Sequence, residues 1–240
     1  MNWKTTVLVA SCSLAAAANA QRVQQDARDF VRGSEFSHHS YRDWSSSYDS
    51  SVVPDLAGML NSKAESASWG HAALLLGAAG DEQAVDALIA FLEAPLENPV
   101  ISNSHVVAYE CALTALGYLV NRTGSERALT YLVDGLTPSV WVKRGVLGVP
   151  EWETSYPEFG KRLSKYALFG LAVSGDPRAR EALIALRDSP TPAQAEFRSK
   201  LDDILATWLE VHQQVAEKGI AGMYDDADAK RAALGFRVTR

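Results

Sequence analysis

Residues 70–92, GHAALLLGAAGDEQAVDALIAFL, decide the class of this protein. The stretch begins as an apolar run, but Asp81, Glu82 and Asp86 interrupt it after about three helical turns. A transmembrane helix needs about 20 consecutive apolar residues, so this run is too short to cross a membrane. The Gly80-Asp81 pair instead divides the stretch into an Ala/Leu-rich segment and an amphipathic segment.

The same pattern returns twice further along the chain. Residues 166–186, YALFGLAVSGDPRAREALIAL, repeat it in register, because Gly80 and Gly175 are 95 positions apart (175 − 80) and Ala-Leu-Ile-Ala follows both at the same offset. A third version, residues 112–136, carries Gly124 and Ser125 in a turn that we interpret as longer. Internal repetition on this scale is typical of solenoid proteins, in which each unit buries its apolar face against the next.

The residues between the two segments predict how the helices are joined. Asp81 and Asp176 each follow a glycine and precede a helical pattern, which is the position of an N-cap, and Pro177 suits the first turn of a helix. We expect Gly80 and Gly175 to adopt the left-handed conformation that ends the preceding helix. A four-residue turn would then join two antiparallel helices, the first buried on most sides and the second on one face.

These units resemble HEAT repeats, specifically the short HEAT-like type that is also found in phycobilisome lyases. The resemblance covers about residues 53–218 and is clearest over 70–92 and 166–186. It implies an all-α fold, a short right-handed α-solenoid of antiparallel helical hairpins, which presents a curved surface to another protein. A few relatives handle bilins, but the repeat motif itself implies no catalytic residue and no cofactor here.

The chain divides into four predicted parts. These are a signal peptide (1–20), a polar N-terminal arm rich in Ser and aromatic residues (21–52), the repeat domain (53–218) and a C-terminal tail (219–240). Within the repeat domain we predict hairpins near 68–94, 104–136 and 159–188, an insertion at 137–158 and a closing helix at 193–218. The apolar stripe of that closing helix would cap the last repeat, and its members are Phe197, Leu201, Ile204, Trp208, Val211 and Val215.

The composition is that of an ordinary globular chain. Of its 240 residues, 47% are hydrophobic and 22% are charged, and the formal net charge is −6. Because an acidic chain repels phosphate, we expect no nucleic-acid partner. A G-x-S-x-G nucleophile motif and a Walker-type phosphate loop are both absent from the sequence, which argues against common hydrolase and nucleotide-binding functions.

The first 20 residues predict export. MNWKTTVLVASCSLAAAANA has one positive charge, an apolar middle and the small-x-small pattern ANA at 18–20, which signal peptidase recognises. We therefore expect a periplasmic or extracellular protein whose mature chain begins at Gln21. The alternative is lipid anchoring through Cys12, because VASC at 9–12 resembles a bacterial lipobox.

No group of residues forms a recognisable metal site. His38, His39 and Asp43 are close in sequence, but neighbouring residues of an extended chain point to opposite sides, and zinc-type spacing is absent elsewhere. We therefore expect no metal. Cys111, the one cysteine left after cleavage, lies in the apolar stretch 106–119, where we expect a buried and unreactive thiol.

The insertion, TPSVWVKRGVLGVPEWETSYPEFG at residues 137–160, is the candidate functional surface. Long connections within compact domains are often functional, and insertions in repeat arrays tend to lie on one face. Aromatic and Arg side chains supply most hot spots at protein interfaces. We therefore predict a protein-binding patch made of Trp141, Lys143, Arg144, Trp152 and Tyr156. Alternatively, Trp141 and Trp152 fill the gap between repeats.

The sequence favours an exported, non-catalytic scaffold or adaptor that binds another protein. The alternative function is an exported enzyme, for example one that acts on carbohydrate, with Glu151 and Glu153 as an acid pair beside Trp152. Because two carboxylates in a connection usually only solvate it, we assign no catalytic residue.

Overall fold

The computed structural model describes residues 27–33, 48–96, 98–146, 148–153 and 155–225. Within these ranges the chain is mainly helical, with two short strands. The helices are α1 (27–33), α2 (Val53–Leu60), α3 (Trp69–Ala79), α4 (Glu82–Leu92), α5 (Asn103–Thr123), α6 (Glu126–Asp134), α7 (Pro138–Lys143), α8 (Tyr156–Ser174), α9 (Pro177–Asp188) and α10 (Arg198–Asp225). The strands are β1 (Val100–Ile101) and β2 (Val149–Pro150), and 3-10 turns span Ser50–Val52, Lys63–Ser68 and Pro192–Phe197.

This architecture confirms the all-α solenoid predicted from the repeats. Three helical hairpins, α3–α4, α5–α6 and α8–α9, follow one another along the chain, and α10 follows the last of them. The predicted signal peptide, Cys12 and the group formed by His38, His39 and Asp43 lie outside the described residues.

Each hairpin is closed by a link of two residues. The second residue of every link caps the next helix, because the side chains of Asp81, Ser125 and Asp176 accept hydrogen bonds from backbone N–H groups in its first turn. The N-cap predictions for both aspartates are confirmed. Four-residue turns, and a longer middle turn, were wrong expectations, because the helices extend directly to the link residues. The links are Gly80-Asp81, Gly124-Ser125 and Gly175-Asp176.

The glycine of each link is needed for one of two different reasons. Gly124 and Gly175 have φ values of 71° and 58°, so they end their helices in the left-handed conformation. Gly80 has φ −80° and ψ −177°, so the left-handed conformation expected there is wrong. A Cβ at Gly80 would collide with the side chain of Ala84 and the carbonyl of Leu76, so this link needs glycine for space.

The first helices of the hairpins form the central layer. Helix α5 packs against both α3 and α8, and ten of the eleven residues of α3 are buried. Close backbone approach is possible because small residues stand at the crossings: a Cβ on Gly77 would lie 2.6 Å from the Cα of Ala115. The apolar run that opens residues 70–92 is therefore a core helix. Among the described helices, none combines the length and the hydropathy needed to cross a membrane.

Side chains from one unit complete the hydrogen bonding of the unit before it. Arg122 of α5 donates to a carbonyl in the last turn of α3, and the guanidinium of Arg178 on α9 donates to the Gly124 carbonyl at 3.4 Å. From α10, the indole Nε1 of Trp208 donates to the Asp176 carbonyl at 2.9 Å. Carbonyls at helix ends and turns lack intrahelical partners, so these contacts fasten successive units together.

The described part of the N-terminal arm packs on the start of the array. The apolar face of α1 is buried, with Val31 fully covered. On its polar side Arg28 forms an ion pair with Asp55 of α2, and Arg32 pairs with Glu65 at 2.5 Å. These contacts hold α1 against α2 and the 3-10 turn that follows it.

Helix α10 closes the other end through the predicted apolar stripe. Its helical geometry is interrupted at Gly219, where φ is 71° and ψ is 168°, and the helix then continues to Asp225. Beyond the break, the hydroxyl of buried Tyr224 donates to Oδ1 of Asn121 at 3.0 Å. The burial of the stripe is confirmed, since four members are buried (Phe197, Leu201, Trp208 and Val211) and two are partly buried (Ile204 and Val215). The helix begins at Arg198 and not at residue 193 as predicted, so Phe197 belongs to the preceding 3-10 turn.

Candidate functional site

The insertion between the second and third hairpins has secondary structure of its own. It contains α7 and β2, and α8 begins at Tyr156. Strand β2 pairs in parallel with β1, with Val100 opposite Val149, and the Val149 N–H donates to the carbonyl of Pro99 at 2.7 Å. The pairing brings the α4–α5 connection beside the insertion, so the candidate surface is built from two segments of the chain.

Trp141 belongs to the core. Its side chain is 0% exposed, and its Nε1 donates to the Gly135 carbonyl at 3.0 Å and to the Ser164 hydroxyl at 3.1 Å. A Cβ on Gly135 would lie 2.6 Å from the indole ring, which shows how closely the backbone covers it. Trp141 is therefore removed from the predicted binding patch, because α7 directs it inward to fill the space beside α8.

Arg144 is likewise engaged within the protein. Its guanidinium carbon lies 3.7 Å from the centroid of the Tyr131 ring, and Nη1 donates to the Tyr131 carbonyl at 3.1 Å. The carboxylates of Asp134 and Glu93 lie 3.5 Å and 3.8 Å away, and the side chain is only 13% exposed. Arg144 thus fastens the insertion to α6 and to the end of α4, which corrects its predicted role as a binding residue.

The remaining predicted binding residues are exposed. Trp152 is 48% exposed and Tyr156 is 38% exposed, and Lys143 is also exposed. Together with two valines that the sequence reasoning missed, they form what we call the insertion surface: Val100, Val142, Lys143, Trp152 and Tyr156.

The insertion surface concentrates exposed apolar side chains. The described chain has six large exposed hydrophobic residues, and four of them belong to this surface. The sequence could have predicted that Trp141 and Val142 lie on different sides of a helix, because adjacent residues of a helix point in different directions, but not which of the two is exposed. The exposure of Val100 could not have been predicted, because it depends on the pairing of β1 with a strand 49 residues away (149 − 100). The other two exposed residues are Val107 and Leu209.

The acid pair of the alternative function lies next to Trp152. Glu151 is exposed and Glu153 is half-buried, in a turn where the Glu153 N–H donates to the Pro150 carbonyl at 3.0 Å. Across the residues that the structure describes, no three His, Cys, Asp or Glu side chains are grouped as a metal ion would require.

Burial favours the neutral forms of four titratable groups: His105, Tyr109 and Cys111 of α5, and Tyr131 of α6. Cys111 is buried, as expected, and burial raises the pKa of its thiol to about 12, which disfavours the reactive thiolate. Burial also raises the pKa of Tyr109 and of Tyr131. It lowers the pKa of His105, whose ring centroid lies 4.8 Å from that of Trp69.

Residues 70–94 match the family model described as PBS lyase HEAT-like repeat. This chain carries a HEAT-like repeat. The matched residues contain almost all of α3, the Gly80-Asp81 link and α4, so the resemblance to HEAT-like repeats is confirmed for the first hairpin. HEAT-like repeats commonly mediate protein interactions and are generally non-catalytic. No significant match was found among curated proteins or solved structures.

Proposed function

We propose that this protein is an exported, non-catalytic HEAT-like scaffold that binds another protein through its insertion surface. The observation that carries the proposal is the exposure of Trp152 and Tyr156, whereas Trp141 and Arg144 of the same connection are covered and hydrogen-bonded within the protein. Trp and Tyr are the residues most enriched at the energetic centres of protein interfaces.

The insertion is also ordered before it meets a partner. Trp141 anchors α7 to α8, Arg144 anchors the end of α7 to α6, and the pairing of β1 with β2 fixes the approach to Trp152. Binding costs less when the contact residues are already held in place, because less conformational entropy is lost. Two exposed aromatic side chains on a connection that is held in place favour recognition of a folded protein surface with an apolar depression.

Charge narrows the class of partner. Lys143 lies next to exposed Val142 on α7, within a chain of net charge −6. A lysine at the edge of an apolar patch favours a partner carboxylate at the rim of the interface. Glu151, which is exposed beside Trp152, favours a basic group in the same way, so the proposed partner presents an apolar depression with an acidic group opposite Lys143 and a basic group opposite Glu151.

Export is the part of the proposal supported by residues 1–20 alone. It is tested by determining the N-terminal sequence of the protein recovered from the exported fraction of its native host. We expect a mature chain that begins at Gln21. Recovery of an intact N-terminus from the cytosol, or of a chain that begins with lipid-modified Cys12, would contradict this part of the proposal.

The binding proposal is tested by affinity capture with the full chain, tagged at its C-terminus and produced in the native host. The test variant is Trp152→Ala/Tyr156→Ala, and the matched control is Val107→Ala, which removes an exposed apolar side chain from α5 outside the insertion. We expect the wild type and the control to retain the same stoichiometric protein and the double variant to lose it. Retention by all three, or capture by none, would refute the proposal.

A further inference from the structure

A second candidate surface lies at the C-terminal end of the array, between α9 and α10. The two helices leave an open groove of about 300 Å³, which is separate from the insertion surface in both sequence and lining residues. Three of its lining residues come from α9 and four from α10: Arg180, Ile184 and Arg187, and Leu205, Ala206, Trp208 and Leu209.

The apolar part of the groove is rigid and open. Leu209 is 48% exposed, whereas the other large apolar side chains of α10 are buried or half-buried. Beside it, Trp208 is fixed by its hydrogen bond to the Asp176 carbonyl at 2.9 Å and by stacking on His212, with ring centroids 4.7 Å apart. Because Trp208 is only 5% exposed, its ring forms the floor of the groove, and Leu209 is the apolar side chain that a partner would contact.

The groove contains two arginines, and Asp202 of α10 places a carboxylate near one of them, Arg187. Arg180 is exposed, its guanidinium carbon lies 5.6 Å from the Trp208 ring centroid, and among the described residues it has no ion-pair partner. Arg187, further along α9, pairs with its neighbour Asp188 at 3.0 Å. An arginine held over an aromatic ring and without a carboxylate is a ready site for an acidic group, since Arg binds carboxylates in a bidentate manner.

The spacing of these groups identifies the shape of the occupant. Arg180 and Arg187 are seven residues apart on α9, which is about two helical turns or about 10.5 Å. Leu205 and Leu209 are four residues apart on α10 and therefore share one face. A helix laid along the groove could place two carboxylates seven residues apart against the arginines and apolar side chains between them against the leucines.

We propose that the groove between α9 and α10 docks an acidic amphipathic helix of a partner protein. The arginines select the acidic edge of that helix, and Leu205 and Leu209 receive its apolar face. This proposal does not depend on the insertion surface, so the two surfaces would allow the scaffold to hold two partners at once.

The test uses a fluorescein-labelled helical peptide of about 18 residues, about 27 Å long. It carries two Glu residues seven positions apart with two adjacent Leu residues between them, on an Ala/Gln background. The control peptide has Lys in place of both Glu residues. Binding to the full-length protein is followed by fluorescence anisotropy, and we expect the Glu peptide to bind and the Lys peptide to bind at least about tenfold more weakly, a difference of about 1.4 kcal/mol.

Charge reversal in the groove provides the decisive comparison. In Arg180→Glu/Arg187→Glu we expect the preference to invert, so that the Lys peptide binds at least about tenfold more tightly than the Glu peptide. Arg198→Glu, an exposed arginine of α10 outside the groove, is the matched control and should keep the wild-type preference. Circular dichroism establishes whether the variants are folded. If the double variant is not folded, the single variant Arg180→Gln is used in its place.

Three results would overturn the proposal: no binding of the Glu peptide to wild type up to about 1 mM, equal binding of the two peptides, or an unchanged preference after charge reversal. Trp152→Ala/Tyr156→Ala should bind the Glu peptide like wild type. That measurement separates failure of the groove from failure of the insertion surface.

Discussion

Gly117 of α5 and Gly170 of α8 face each other where the two central helices cross. A Cβ on Gly117 would lie 2.8 Å from the Cα of Gly170, and closer still to its carbonyl. Carbon atoms in folded proteins do not pack at that distance, because interiors are already close-packed and repulsion rises steeply. The crossing therefore sets the separation of the second and third hairpins.

Gly117→Ala should destabilise the protein. Overpacking typically costs about 1–3 kcal/mol, which exceeds the gain of about 1 kcal/mol from the higher helix propensity of alanine. Urea unfolding followed by circular dichroism measures the change. Gly58→Ala is the control, because Gly58 is an exposed residue of α2 with no atom near its Cβ position, and it should gain about 0.5–1 kcal/mol. Equal stabilisation by both substitutions would contradict the close approach at Gly117.

Truncation of the two tryptophans of the insertion should have different effects on the free energy of unfolding. Trp141→Ala removes a fully buried ring and both of its hydrogen bonds, so we expect a loss of about 3–5 kcal/mol in the free energy of unfolding. Trp152→Ala removes an exposed ring and should change stability by no more than about 0.5 kcal/mol. The same urea titration compares them, and similar losses from both would show that Trp152 is a packing residue.

The difference between these tryptophans also shows where sequence reasoning reaches its limit. Both are aromatic residues in a proline-rich connection, and composition alone cannot separate them. Pro138 in a first-turn position was an available signal for α7, and it would have predicted a helix that turns Trp141 and Val142 to different sides. The inward direction of Trp141, however, depends on Ser164 and Gly135, which are brought together only by the stacking of hairpins.

The repeats were more predictable than their links. Burial of α3 follows from its apolar residues, and the stripe of α10 follows from its spacing. The two Gly-Asp pairs are identical in sequence, yet Gly175 has positive φ and Gly80 does not. A glycine can be required because the backbone has positive φ or because no Cβ would fit. At Gly80 the second reason applies, and it is visible only from the positions of Leu76 and Ala84 in the folded chain.

Cys111 should be unreactive in the folded protein. Its pKa is raised to about 12, chiefly by burial, against about 8.5 for a free thiol, so almost no thiolate forms near pH 8. In the Cys12→Ser protein, Ellman's reagent should modify Cys111 in urea at once and in native buffer only at the rate of unfolding. Rapid modification in native buffer would show that the thiol is accessible.

His105 should make the protein less stable below neutral pH. Burial lowers the pKa of His105 in the folded state beneath the value of about 6.5 of the unfolded state, so the unfolded chain binds more protons as the pH falls. Its contribution is present above about pH 6.5 and is lost as the pH decreases towards the folded-state pKa. His105→Phe, which keeps an aromatic ring against Trp69 and Phe91, should reduce the slope of stability between about pH 7 and 5. An unchanged slope would show that other titratable groups cause the pH dependence of stability in this range.

The central claim is that a partner protein contacts the insertion surface, and site-specific photocrosslinking in the native host tests it most directly. A photoreactive phenylalanine analogue is placed at position 152, at position 156 or, as the matched exposed control, at position 107. The account predicts an adduct with one and the same protein from positions 152 and 156 and none from position 107. Adducts from position 107 alone, or no adduct from any position, would contradict it.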